Sequence, residues 1–170
     1  MELIVKTVKA PTKDELLYEP KVRAAWSVWQ AVASIKQKNV TWKIGFAHFD
    51  SENIEVGDCV FFSLARSKCD LLIVCCPSDL ASRLQHRKFK FTLQERAFVL
   101  ASLSVIDYIV PYDEETPGLV MSAVNPDIIF GNRVEDENLK WTNLNPSIKV
   151  EQIHHPFERR AQFNGRFFTV

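Results

Sequence analysis

At 170 residues, 46% hydrophobic and 25% charged, the chain has the composition of one folded domain (residues 1–170) with a sizeable core. Twenty-one basic side chains balance 21 acidic ones, which argues against general nucleic-acid binding while leaving room for a local basic patch. No apolar run reaches the roughly 18 residues of a membrane helix, and the start MELIVKTVKAPTKDE lacks the long apolar segment of a secretory signal, so a cytoplasmic location is the default expectation.

Residues 1–10 are read as an edge strand or an arm. Residues 13–38 carry helical patterning in two parts, broken at Pro20. Val22, Trp26, Trp29, Val32, Ala33 and Ile35 fall mostly on one stripe of the second part. Core packing is the expectation for the two tryptophans, and a partner surface is the alternative. Ile44 to Asp79 then reads as strand, loop, helix, strand. Ile44–Phe49 is an apolar strand tip and 50–55 a polar loop. Val60, Phe61, Leu64 and Ala65 recur at helical spacing, and 71–76 is a buried apolar run. Such a unit is βαβ, and its ligands sit beyond the carboxyl ends of the strands, here near Phe49 to Asp58.

Residues 80–91 read as a loop with a basic cluster of Arg83, Arg87, Lys88 and Lys90. Thr92 and Glu95 form a capping box opening a helix to about Leu103, apolar on nearly every side and expected to be well buried. A strand follows at 106–111, a short helix after Thr116-Pro117, a strand at 127–130 and a last one at 148–153. The tail from His154 carries Phe157, Arg159, Arg160, Phe163, Arg166, Phe167 and Phe168. It is expected to pack on its own domain, with another subunit, another partner or RNA as alternatives. The fold class is therefore α/β, a Rossmann-like, mainly parallel sheet with helices on both faces. Cys59, Cys69, Cys75 and Cys76 form no C-x-x-C pair and read as buried free thiols. His154-His155 has no nearby cysteine, and no metal site is assigned.

Several short motifs in this order resemble the cytidylyltransferase-like nucleotidyltransferases. The branch is that of the ADP-heptose synthase adenylyltransferase domain and glycerol-3-phosphate cytidylyltransferase. Phe49-Asp50 matches the F-D of G-x-F-D, with Ala47 for its glycine. Asp70-Leu71-Leu72-Ile73-Val74 matches the second strand, and Ser78-Asp79 the end of N-S-D. Glu95-Arg96 matches the opening of the next helix, Asp113 to Pro117 an acidic turn with T-P, and Pro126-Asp127 part of R-P-D-x-x-x-K-G-G-D. The resemblance covers about residues 42–132. It implies nucleotide-binding roles for Phe49, Asp50, Gly57 and Arg96, the last facing phosphates unless it is a surface arginine of the first turn.

The departures fall on the chemistry. The H-x-G-H of the family lands on Glu55-Val56-Gly57-Asp58, so the glycine stays and both histidines become carboxylates. The spacer after Asp50 is two residues longer. Gln85 stands for the lysine of R-L-K, with Lys88 or Lys90 as candidate substitutes, and Phe130 is read at the lysine of the later motif. Nucleotidyl transfer needs positive charge at the α-phosphate and pyrophosphate. A carboxylate about 4 Å from a phosphate oxygen repels it by roughly 4 kcal/mol at an effective dielectric of about 20. Near a helix start, however, Glu55 and Asp58 suit the helix dipole and would occupy the anion site.

Three functions follow. The first is a nucleotidyltransferase-fold protein with lost or much reduced transfer that binds a ligand or partner. The second is an active enzyme on an NTP and a sugar- or polyol-phosphate, using Mg²⁺ with CTP or ATP in a rearranged site. The third is a non-nucleotide interaction scaffold. The expected partners are a nucleotide or phosphorylated small molecule and a second copy of the chain, with no membrane.

Overall fold

A computed structural model describes residues 21–22, 25–37, 41–114, 117–131 and 147–154. Within them, β1 (Ile44–His48), β2 (Leu71–Pro77), β3 (Tyr108–Tyr112), β4 (Ile128–Gly131) and β5 (Lys149–Gln152) form one sheet in the order β3-β2-β1-β4-β5. All four pairings are parallel, with Phe46 beside Ile73 and Ile129 in the centre. The expected adjacent parallel pairing of 44–49 with 71–76 is present. The helices are α1 (Ala25–Gln37), α2 (Val56–Arg66), α3 (Asp79–Leu84), α4 (Leu93–Ala101) and α5 (Gly118–Val124).

Alternation along buried parallel strands gives two cores. Ala47, Leu72, Val74, Cys76 and Phe130 face Phe61, Phe62, Ala65, Ala97 and Leu100 of α2 and α4. Ile44, Phe46, Ile73, Cys75 and Val110 face Val28, Val32, Ala81, Met121 and Val124 of α1, α3 and α5. The adjacent Cys75 and Cys76 thus point to opposite faces, as expected of a strand. From β1 the chain winds outward to β2 and β3 and returns to β4 on β1's other side. The carboxyl ends of β1 and β4 therefore mark the crevice where the winding reverses, which is where such sheets take ligands.

The amino ends of the strands are tied by aspartates. Asp70 Oδ2 accepts the Lys43 N–H at 2.8 Å, Asp107 Oδ2 that of Leu72 at 2.7 Å and Asp127 Oδ2 that of Ile44 at 2.8 Å. Each aspartate precedes one strand and holds the start of its neighbour. Gly45 is required by packing, because a Cβ there would lie 2.6 Å from Cys69 Sγ and 2.7 Å from Phe130 Cε2.

Four expectations need correction. Phe98 and Val99 are 38% and 49% exposed, because α4 lies in an outer layer and buries only one stripe. Residues 79–84 are helical rather than loop, started by Ser78, whose Oγ accepts the Ala81 N–H at 3.1 Å. Val22 does not continue α1. It bridges Ile109 on the side of β3 away from β2, with the Ile109 N–H donated to Lys21 O at 2.8 Å. Trp29 is 50% exposed, because Val28 and Val32 carry the packing stripe of α1. The side chain of Trp26, the arm at 1–10, the first helical part at 13–20 and the tail after His154 lie outside the described residues.

Candidate functional site at the carboxyl end of the sheet

The loop after β1 leads into α2, and its acids all have structural partners. Glu55 is the N-cap of α2 with extended backbone, and Asp58 is the third residue of its first turn. Asp58, only 6% exposed, accepts the Glu55 N–H at 2.9 Å through Oδ2. This is the returning half of a capping box, so the carboxylate satisfies a helix-start donor from inside the protein. Glu55 is exposed, and Gly57 is buried beneath this turn.

Phe49 is a core residue, 4% exposed. Its N–H donates to Cys75 O at 2.9 Å and its ring sits 6.0 Å from that of Phe62. Asp50 Oδ2 is paired with Arg87 Nη1 at 2.7 Å, and the same nitrogen donates to the Asp50 carbonyl at 2.9 Å. Glu52 accepts the backbone N–H groups of Lys90 and Phe91. Asp79 Oδ1 accepts the Leu93 N–H at 2.8 Å and faces Arg96 Nη2 at 3.2 Å.

Arg96 is buried and is not a surface arginine of the first turn. Its side chain has no exposed surface, Nη2 donates to Pro77 O at 2.9 Å and Nε to Phe91 O at 3.3 Å. The guanidinium lies 4.4 Å from the centroid of the Phe89 ring. Nη1 alone is buried without a hydrogen-bond partner among the described residues. Arg96 borders a cleft of about 480 Å³ with Glu52, Asn53, Ile54, Phe91 and Phe98. Two more clefts are present: one of about 530 Å³ beside α3, bordered by Arg83, Arg87, Lys88 and Lys90, and one of about 560 Å³ under Trp29 and Leu119. None of the three is bordered by Phe49 or Gly57, so the structure does not gather Phe49, Asp50, Gly57 and Arg96 around one of them.

Gln85 and Phe130 each pack within the fold. Gln85 Nε2 donates to the Tyr112 hydroxyl at 3.2 Å, and that hydroxyl is 2.8 Å from His48 Nε2. Phe130 is fully buried on the face under α2 and α4. Counted without a gap from Asp127, the lysine of the later motif falls on Gly131, one residue beyond Phe130. The His48–Tyr112–Gln85 cluster has no single sequence signal, because it joins the ends of β1 and β3 to the end of α3. Burial pushes the Tyr112 phenol above its ordinary value, with the Gln85 hydrogen bond acting in the opposite sense. The four cysteines are free. Burial pushes Cys69 up to about 11 and Cys76 up to about 12, so neither is an activated thiolate. No group of three or more His, Cys, Asp or Glu among the described residues is arranged to hold a metal ion. No described helix is long and apolar enough to cross a membrane.

Sequence relatives agree with this architecture. The chain is 31% identical over 116 residues to the bifunctional protein HldE of Syntrophotalea carbinolica, covering 67% of this chain and 23% of that protein. It is 36% identical over 89 residues to HldE of Helicobacter pylori, covering 51% and 19%. The chain belongs to the cytidylyltransferase-like nucleotidyltransferase family. Its match spans about a fifth to a quarter of the length of these HldE relatives. Among solved structures, this cytidylyltransferase-like chain is similar to a lipopolysaccharide core biosynthesis protein from Thermoplasma volcanium. The TM-score is 0.58 at 20% identity, covering 66% of this chain and 97% of that one. It is also similar to a pantoate-beta-alanine ligase from Francisella tularensis, with TM-score 0.55 at 15% identity, covering 79% and 68%. At these identities the structural likeness speaks for the fold alone. No family model matches the sequence.

Proposed function

We propose that this cytidylyltransferase-like domain has lost or much reduced nucleotidyl transfer and acts by binding a ligand or partner. The observation that carries the reading is Asp58. At the start of α2, where the family motif has a histidine, a buried carboxylate turns back to cap its own helix. A histidine there would donate to the phosphate as charge moves onto the leaving pyrophosphate, whereas a carboxylate has no proton to donate and repels the phosphate. The other acids of the loop support the same reading. Asp50 is paired with Arg87 and Glu52 with backbone amides, so each already has a structural role. Gly57 keeps the close approach at the helix start, and this leaves room for a weakly held anion.

Mg²⁺ with CTP or ATP would be the co-reactants of an active form, and the acids among the described residues do not assemble a donor set for it. The substrate class of such a form would be an NTP and a sugar- or polyol-phosphate. The reading is tested by pyrophosphate release from ATP and CTP with Mg²⁺, across a panel of sugar and polyol phosphates. No release above background is expected, together with a small rise in melting temperature with at least one nucleotide or phosphorylated compound. Steady release with any acceptor would overturn the reading in favour of an active, metal-assisted site. No thermal shift with any of them would favour a non-nucleotide scaffold.

A further inference from the structure

The segment between α3 and α4 is fastened to the acids at the carboxyl end of the sheet. His86, with φ of 56°, turns the chain out of α3. Arg87 then binds both the carboxylate and the carbonyl of Asp50, at 2.7 and 2.9 Å. Glu52 receives the amides of Lys90 and Phe91, and Asp79 receives that of Leu93. From the core side, Arg96 donates to Phe91 O and lies over Phe89. Arg87 also borders the cleft shared by Arg83, Lys88 and Lys90.

We propose that residues 86–92 are a strap closed over the end of β1, and that Asp50 is its internal competitor, occupying Arg87 where a bound phosphate chain would otherwise take it. The inference rests on the reading of this end of the sheet as a weak anion site, and it assigns that site a built-in inhibitor. The Arg87 and Asp50 side chains are 42% and 43% exposed, so water screens their attraction and the pair is held only a few-fold over its open form. Phosphate oxygens offer a guanidinium the same fork of acceptors as a carboxylate with more negative charge. An entering polyanion can therefore exchange places with Asp50, and the strap loosens where Arg87 lets go.

Two measurements on the full chain test this. In amide hydrogen exchange without ligand, Asp50→Asn is expected to speed exchange at Lys90 and Phe91 about two- to five-fold, with no change at the core amide of Leu72. In calorimetry with inorganic tripolyphosphate, Asp50→Asn is expected to tighten binding about five-fold, and adding Arg87→Gln to remove the gain. Asp113→Asn, the same charge change at an exposed residue beyond β3, is expected to change affinity less than two-fold. Unchanged exchange at Lys90 and Phe91, or equal tightening by Asp50→Asn and Asp113→Asn, overturns the proposal. Failure of every variant to bind tripolyphosphate overturns it too and leaves the low-transfer reading standing, since that reading fails only by pyrophosphate release or by absence of a thermal shift with any nucleotide or phosphorylated compound.

Discussion

The two ends of the sheet use the same residue type for different ends. At the amino ends, Asp70, Asp107 and Asp127 each accept a backbone N–H at the start of a neighbouring strand, and Asp70 and Asp127 sit in stretches that match the family's motifs. At the carboxyl ends, Asp50, Glu52, Asp58 and Asp79 are bound to Arg87, to loop amides, to the start of α2 and to Arg96. The amino-end acids hold register, and Asp70 and Asp127 lie in stretches that match the family. The carboxyl-end acids include Asp58, one of the two that depart from it, and each is held by a partner of its own fold. The difference separates two parts of one resemblance: the stretches that build the sheet match at Asp70 to Val74 and at Pro126-Asp127, whereas at the H-x-G-H position only Gly57 is kept and Glu55 and Asp58 replace the histidines.

The largest effect that would break this comparison lies between the ends, in the packing of β1. Gly45→Val should destabilise the domain by about 3 kcal/mol, since its Cβ would run into Cys69 and Phe130 and both are buried. Urea unfolding with a loss under about 1 kcal/mol would mean that β1 and β4 can part more easily than described. Next comes the amino end. Asp107→Ala strands the buried Leu72 N–H and removes the partner of Arg66 Nε at 3.1 Å. A loss of about 2 kcal/mol is expected, with nucleotide binding unchanged.

The carboxyl end should behave differently under the same kind of change. Asp58→Ala removes the cap of α2 and should cost about 1 kcal/mol of stability while strengthening triphosphate binding. Opposite signs for stability and binding distinguish this end from the other. If binding weakens instead, the carboxylate is a ligand group and the comparison fails.

The smallest expected effect is at the edge strand β5. Hydrogen bonds from Lys149 and Lys68 hold the Glu151 carboxyl below its ordinary value. A depressed folded-state value means that the contribution is complete above the ordinary carboxylate range and is lost as pH falls through the lower folded value. Both lysines are largely exposed, so less than about 1 kcal/mol is at stake. Glu151→Gln should accordingly reduce the loss of β5 amide protection on acidification from pH 6 to pH 3. An identical loss in both proteins would remove Glu151 from the account.

Much of the fold was legible from residue pattern. The apolar run 71–76 after Asp70, the Thr92–Glu95 box and the alternation of Cys75 and Cys76 are local signals, and each has a local cause in strand or helix geometry. The start of α3 is hidden in the sequence because Ser78, its cap, falls in the stretch that matches N-S-D. The site was less legible because its decisive contacts join residues far apart in sequence. Arg87 meets Asp50 across 37 positions, and His48 meets Tyr112 across 64. For Arg96 the sequence leaves both phosphate and solvent open, and burial against Phe89 and Pro77 removes the solvent-facing alternative. The carboxylates at 55 and 58 were visible as departures, but only the backbone of α2 shows that Asp58 is spent on capping.

The central claim, that this family member keeps the sheet while its own carboxylates fill the phosphate site, is met most directly by isothermal titration of ATP and CTP with Mg²⁺. The two proteins to compare are the wild type and the double variant Glu55→His with Asp58→His. The account predicts no micromolar binding by the wild type and at least about ten-fold tighter binding by the variant, as repulsion is removed and donors return. Micromolar binding by the wild type, weakened by the histidines, would contradict it and identify the carboxylates as part of a working, metal-assisted site.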